Sequence, residues 1–247
     1  MVDIEEYSRM SDLESRHFWF CGRRNVLQNL LTQSVGSACQ NDLLILDAGC
    51  GTGGNLSWLS SLGQVVGFDF SEIACTLSAE KKFGGIIRAS LLDSLPFKDN
   101  SFDLITLLDV LEHLENDFET LQQLKEKLKL GGRILITAPA YMHLWSGHDV
   151  VHHHKRRYLK KHLQELLTGS GLQIDYLSYY NTLLYPLVAV KRLLSRVENS
   201  TPSGDMKPLP PFLNNMLLQI FSLEKYWIGK LNIPFGVSLV ALAQRKV

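Results

Sequence analysis

The chain has 247 residues, 45% apolar and 20% charged, which suits one globular α/β domain with an appendage and excludes a disordered, fibrous or large two-domain protein. Lys plus Arg and Asp plus Glu balance at 25 each, so the cationic field of a nucleic-acid binder is missing; no nucleic acid is expected, and a small-molecule partner becomes the default. The four cysteines (Cys21, Cys39, Cys50, Cys75) are too sparse for a disulfide framework, and neither a secretory signal pattern nor a run of about 18 apolar residues occurs, so a cytoplasmic location is expected.

Residues 1–40 read as a helical cap: HFWF at 17–20, then Arg23 and Arg24, then Val26, Leu27, Leu30 and Leu31 at helical spacing. Because it precedes the first strand, this segment reads as an extension rather than a core element. From Leu43 onward, strand-length apolar runs at 43–47, 64–69, 85–89, 103–108 and 132–138 alternate with helical patterns, the signature of a parallel sheet with helices on both faces. Phe118, Leu121, Leu124 and Leu128 mark a helix that begins near Asn116 and stops at Gly131 and Gly132. Leu159, Leu163, Leu166 and Leu167 mark another, ended by the glycines at 169 and 171; strands at 172–179 and 237–246 follow. Between these last two strands, residues 183–233 form an insertion with two apolar helical patterns around the proline-rich TPSGDMKPLPP. The predicted organisation is a cap at 1–40, a core at 41–182 and 234–247, and a helical insertion or lid at 183–233.

The segment LLILDAGCGTGG places Gly49, Cys50, Gly51 and Gly53 directly after a buried strand and ahead of a helical pattern. Glycines there let the backbone bend sharply and approach a ligand closely. Asp47, two residues before the first glycine, suits a cationic ammonium better than a pyrophosphate, and Asp69 ends the second strand about 20 residues beyond the loop, where a carboxylate accepts hydrogen bonds from ribose hydroxyls. The loop alone is also compatible with a nicotinamide-dependent oxidoreductase.

The ordered series DAGCGTG, VVGFDFS, LPFKDNSFDLI, DVLEHL and GGRILITAP resembles the successive motifs of class I S-adenosylmethionine-dependent methyltransferases across residues 43–140. The resemblance implies a Rossmann-like seven-stranded sheet, mostly parallel with an antiparallel last strand. It also implies S-adenosyl-L-methionine as cofactor, held at its methionine end by Asp47, Gly49, Cys50, Gly51 and Gly53, at its ribose by Asp69 and Phe70, and at its adenine by Ser90, Leu91 and Leu92. Many relatives carry an aspartate just after strand three; here the stretch reads ASLLD, so backbone groups of Leu91 or Leu92, or the side chain of Asp93, take that part. Asp109 and Val110 resemble the positions beside the transferred methyl group.

HFWF with the following arginines resembles a subgroup whose leading helix covers the cofactor. In that reading Trp19 or Phe18 stacks beside the sulfonium and Arg23 pairs with the cofactor carboxylate; the alternative is an aromatic staple against the core. SGHDVVHHHKRRY at 146–158 resembles the H-D and H-x-R-R-Y elements of the same subgroup. His148 is the first candidate for a general base, His154 the second and His113 the third. A metal site built from His148, Asp149, His152, His153 and His154 is not expected, because consecutive histidines rarely converge on one ion. Lys155, Arg156, Arg157, Lys160 and Lys161 form either a solvated face or a site for phosphate or anionic lipid, and the insertion either packs on the sheet or lies against a membrane interface. The leading expectation is methyl transfer to a small-molecule or lipid-linked acceptor; a non-catalytic S-adenosylmethionine-binding partner protein is the other alternative.

Overall fold

The computed structural model describes residues 4–35, 42–197 and 208–246. Cys39 and most of the proline-rich linker lie outside the described residues. The described strands are β1 (Leu43–Ala48), β2 (Gly63–Asp69), β3 (Gly85–Arg88), β4 (Phe102–Leu108), β5 (Leu128–Pro139), β6 (Leu172–Tyr180) and β7 (Ser238–Arg245). They form a seven-stranded sheet in the order β3-β2-β1-β4-β5-β7-β6. The pairs among β1 to β5 are parallel, whereas β7 runs antiparallel to both β5 and β6, as the motif resemblance implies.

Central strands buried on both faces need near-continuous apolar sequence, and β4 illustrates the division. Ile105 and Leu107 face one cluster, shared with Leu121 and Leu124 of α5 (Asp117–Lys127) and Leu163 and Leu167 of α7 (Lys160–Gly169). Leu104 and Leu108 face the other, shared with Leu56 and Leu59 of α3 (Leu56–Leu59) and with α2 (Phe18–Val35).

In α2, Val26, Leu27, Leu30 and Leu31 are buried against this second face. The expectation of an extension outside the core is therefore corrected: α3 has four residues and leaves sheet that α2 must cover. The second helix of the insertion joins the same layer. The insertion's α8 (Tyr185–Val197) and α9 (Pro211–Ser222) follow β6, and Phe221 of α9 packs so closely on Gly22 that a Cβ there would lie 2.6 Å from the Phe221 ring. The N-terminal α1 (Ile4–Arg16) leads into α2, and α4 (Glu72–Glu80) and the short α6 (Gly147–Val151) complete the described α-helices. None of the described helices is long and apolar enough to cross a membrane.

Two helix boundaries differ from the sequence expectation. Helix α5 ends at Lys127; Leu128 is already extended and pairs with Phe102, after which the register shifts before Leu104 meets Arg133. Gly131, at φ +77°, thus serves an irregularity inside β5 rather than a helix end. Leu159 stands ahead of α7 with extended backbone, half-exposed, instead of lying on the apolar helix face.

Glu224, in the turn after α9, is fully buried and accepts the N–H groups of Asn181 and Thr182 at 2.6 Å and Leu183 at 2.9 Å. It thereby fixes the exit of β6, where Asn181 takes φ +56°. Removing the acceptor strands three donors at once. Glu224→Ala should lower the unfolding free energy by about 2–4 kcal/mol in urea denaturation, with Glu224→Gln recovering part of the loss; an unchanged midpoint would contradict this role.

Candidate active site

The strand order reverses direction between β1 and β4, so a crevice is expected at the carboxyl ends of these strands. There the glycine loop leaves β1, with the Gly49 and Cys50 N–H groups both donating to the Phe68 carbonyl at 2.9 Å. Gly49 has φ +73°, and a Cβ on it would meet Val110 Cγ2 at 2.6 Å. Gly51, at φ +54°, has nothing within 4 Å of the corresponding position, so the loop presents an open, side-chain-free face. Cys50 turns its thiol inward towards Ser78, and burial raises its pKa well above the ordinary thiol value; its side chain is wall rather than reagent.

Asp47 is almost completely buried. Its Oδ1 accepts a hydrogen bond from Thr106 Oγ1 at 2.6 Å, its Oδ2 has no partner, and burial pushes its pKa up to about 6. Asp69 accepts the Gly51 N–H at 3.0 Å on Oδ2 and the Ser71 N–H at 2.9 Å on Oδ1. Burial raises its pKa, and the backbone donors partly oppose that rise. Phe70 and Leu92, following β2 and β3, are largely exposed; Leu91 turns into the core, and Ser90 Oγ accepts the Leu92 N–H at 3.1 Å.

Asp109 follows β4 at φ +55°, a conformation costing a non-glycine residue about 1–2 kcal/mol. Its N–H donates to Thr137 Oγ1 at 3.0 Å, Thr137 returns a hydrogen bond to Oδ1 at 2.8 Å, and Arg23 forms an ion pair with Oδ2. Burial opposes the Arg23 charge, but the Asp109 carboxylate more than offsets it and holds the guanidinium pKa above its ordinary value. Arg23 therefore reaches the crevice already engaged by a protein carboxylate, with its buried Nε left without a partner. Trp19 packs on Phe221 of α9, ring centroids 5.8 Å apart. Sequence reasoning missed Glu14 of α1, which accepts from Thr52 Oγ1 on the glycine loop and whose carboxylate would lie 2.5 Å from a Cβ at Gly54. No spacing links Glu14 to the loop, so nothing in the motif announced it.

The three candidate bases come together. His113 ends a 3-10 turn (Leu111–His113) directly after Asp109 and Val110, and its ring stands at 88° to that of His154, centroids 4.7 Å apart. His148 lies on α6, ring centroid 5.6 Å from that of His154. His154 is the anchored member: its Nδ1 is 2.8 Å from Asp149 Oδ1, while Arg157 grips both Asp149 oxygens at 2.8 and 2.9 Å. Despite burial, His154 and Arg157 hold the Asp149 carboxyl far below its usual range. Burial, then His154, pushes His113 down to about 4, and burial with the nearby Asp109 charge raises Glu112 well above the carboxylate norm. The basic run is largely internal pairing: Arg156 binds Asp117 at 2.9 Å, Tyr158 donates to the same carboxylate at 2.7 Å, and Lys155 pairs with Glu115. Lys161 remains strongly exposed, 3.9 Å from Glu165.

Residues 46–136 match a family described as "Methyltransferase domain". A protein of Mycolicibacterium smegmatis assigned to the S-adenosylmethionine-dependent methyltransferases is 26% identical over 167 residues, covering 66% of this chain and 62% of its own length. The demethylmenaquinone methyltransferase of Staphylococcus aureus is 27% identical, covering 53% of this chain and 54% of its own. Both matches thus span less than two thirds of the relative's length. A solved structure of Haemonchus contortus phosphoethanolamine N-methyltransferase 2 with S-adenosyl-L-methionine superposes with a TM-score of 0.58 at 18% identity, covering 90% of this chain and 53% of that one, a likeness of fold. Over residues 46–136 the chain thus matches the methyltransferase-domain family, and its motif order and strand order agree with that match.

Proposed function

We propose that this chain binds S-adenosyl-L-methionine across the ends of β1, β2 and β4 and transfers its methyl group to a small-molecule or lipid-linked acceptor. The observation that carries the reading is the buried Asp47 carboxylate, one oxygen without a partner, beside a glycine loop whose Gly51 face is open. A buried carboxylate calls for a cation, and an ammonium group supplies one. A pyrophosphate would bring negative charge to the same place, which disfavours the nicotinamide alternative.

In this assignment Asp47 and the backbone from Gly49 to Gly53 hold the amino-acid end, with the spare Arg23 Nε directed to the carboxylate. Asp69 accepts from the ribose hydroxyls, exchanging its bond from the Gly51 N–H for theirs. Phe70 and Leu92 flank the adenine, and Ser90 and Leu91 offer backbone groups. When bound, the cofactor supplies an electrophilic methyl group on a sulfonium, so the residues need chiefly to place the acceptor in line and exclude water. Asp109 and Val110 border that place. His154, oriented by Asp149, is the best-placed group to take a proton from an oxygen or nitrogen acceptor, ahead of His148 and His113.

An amphipathic acceptor is supported by the quinone-type substrate named for one relative and by α8, where Leu187, Val190 and Leu193 are exposed beside exposed Lys191. Such a stripe suits peripheral contact with an anionic membrane surface. The free thiols of Cys21, Cys50 and Cys75 accord with a cytoplasmic location.

Asp69→Ala should weaken S-adenosylmethionine binding at least about a hundredfold by calorimetry, since two charge-assisted hydrogen bonds disappear; affinity within a factor of about three of wild type would remove the ribose assignment. Because Asp47 titrates near 6, it takes a proton as pH falls through that value, and the ammonium then loses its partner. The dissociation constant should rise roughly tenfold per pH unit below that point and level off above it. Asp47→Asn should bind weakly at pH 8 and show a flatter profile; an unaltered profile would contradict the Asp47 contact.

A further inference from the structure

Beyond the glycine loop, the 3-10 turn after β4 and the segment after α6 bring metal-type ligand atoms together across about 40 residues of sequence. One ligand atom each from Glu112, His113 and His154 lies within 4.8 Å of the others, and His154 Nε2 is 3.9 Å from Glu112 Oε1. Nitrogen and oxygen ligands on one zinc ion sit about 3.3 Å apart, a separation these side chains reach by small rotations. Glu112 is 1% exposed, and its Oε2 has no hydrogen-bond partner, an arrangement that a nearby cation would relieve.

The remaining contacts are those of a supported ligand set. The Lys155 N–H donates to the Glu112 carbonyl at 2.8 Å, tying the two segments together. The other ring nitrogen of His154 faces Asp149, whose carboxylate is held by Arg157 and by the Ser146 N–H at 2.8 Å. A carboxylate on Nδ1 fixes the tautomer and leaves Nε2 with its lone pair towards Glu112 and His113, the usual outer support of a metal-bound histidine. Of the run HDVVHHH only His154 joins the set; His153, exposed at φ +54°, stands outside it.

We propose that Glu112, His113 and His154 form a site for a divalent transition ion, zinc first among them, with Asp149 orienting His154. Two imidazoles and one carboxylate are the donor set of an open zinc site, with a fourth position left for water or an oxygen-bearing ligand. The site lies beside Asp109 and depends on no assumption about the cofactor; an ion there would take the Nε2 lone pair of His154, so the proton-accepting role proposed for that residue would pass to His148.

The test uses the full chain without a histidine tag, stripped with chelator, titrated with zinc chloride by calorimetry and assayed for metal by mass spectrometry after dialysis. One ion per chain is expected, with a raised unfolding temperature. His154→Ala and Glu112→Gln should weaken binding at least about a hundredfold, Asp149→Asn about ten- to a hundredfold. The double variant His152→Ala/His153→Ala should bind like wild type, which excludes capture by the neighbouring histidines. Circular dichroism of each variant separates ligand loss from misfolding. No stoichiometric zinc on wild type, or unchanged affinity in folded His154→Ala, overturns the proposal, and S-adenosylmethionine titration of the same samples distinguishes failure of the metal site from failure of the methyltransferase reading.

Discussion

The Asp47 carboxylate at the end of β1 is the expensive feature of this fold. An ionised group in a closed apolar layer costs several kcal/mol unless it is paired, and Thr106 satisfies one oxygen only. Beside it the glycine loop is packed closely at Gly49 and Gly53 but open at Gly51, where nothing lies within 4 Å of a side-chain position. Much of the surrounding architecture maintains that opening: the loop N–H groups bond to the end of β2, and Asp69 braces Gly51 from the neighbouring strand.

The two N-terminal helices connect this site to the rest of the molecule. Arg23 of α2 forms an ion pair with Asp109 after β4, and Glu14 of α1 contacts Thr52 on the loop. Helix α2 is in turn clamped by α9, where the absence of a side chain at Gly22 admits Phe221. Segments that lie before and within the second half of the core sequence thus set the shape of a crevice built by its first half.

The strands were legible because a buried parallel sheet demands apolar runs, and each expected run lies within a few residues of an observed strand. The glycine loop and its two carboxylates were legible because their chemistry is local in sequence. What escaped was decided by tertiary contact. The spacing of Val26, Leu27, Leu30 and Leu31 marks a helix but does not reveal that it packs on the sheet together with the short α3 and with α9. Gly131 and Gly132 look like a helix stop, yet Leu128 gains more by pairing with Phe102 than by extending α5. The basic run looked like a surface field, whereas Arg156 and Arg157 are committed to Asp117 and Asp149. Likewise Glu112 and His154 are too far apart in sequence for any spacing rule to bring them together.

The resting place of the nucleoside is the most direct measure of how this crevice works. A crystal structure of the chain grown with S-adenosylhomocysteine should place the ligand's ammonium against Asp47, its carboxylate near Arg23 and its ribose hydroxyls on Asp69. Density for the ligand elsewhere, or a crevice that retains a different nucleotide through purification, would contradict these assignments.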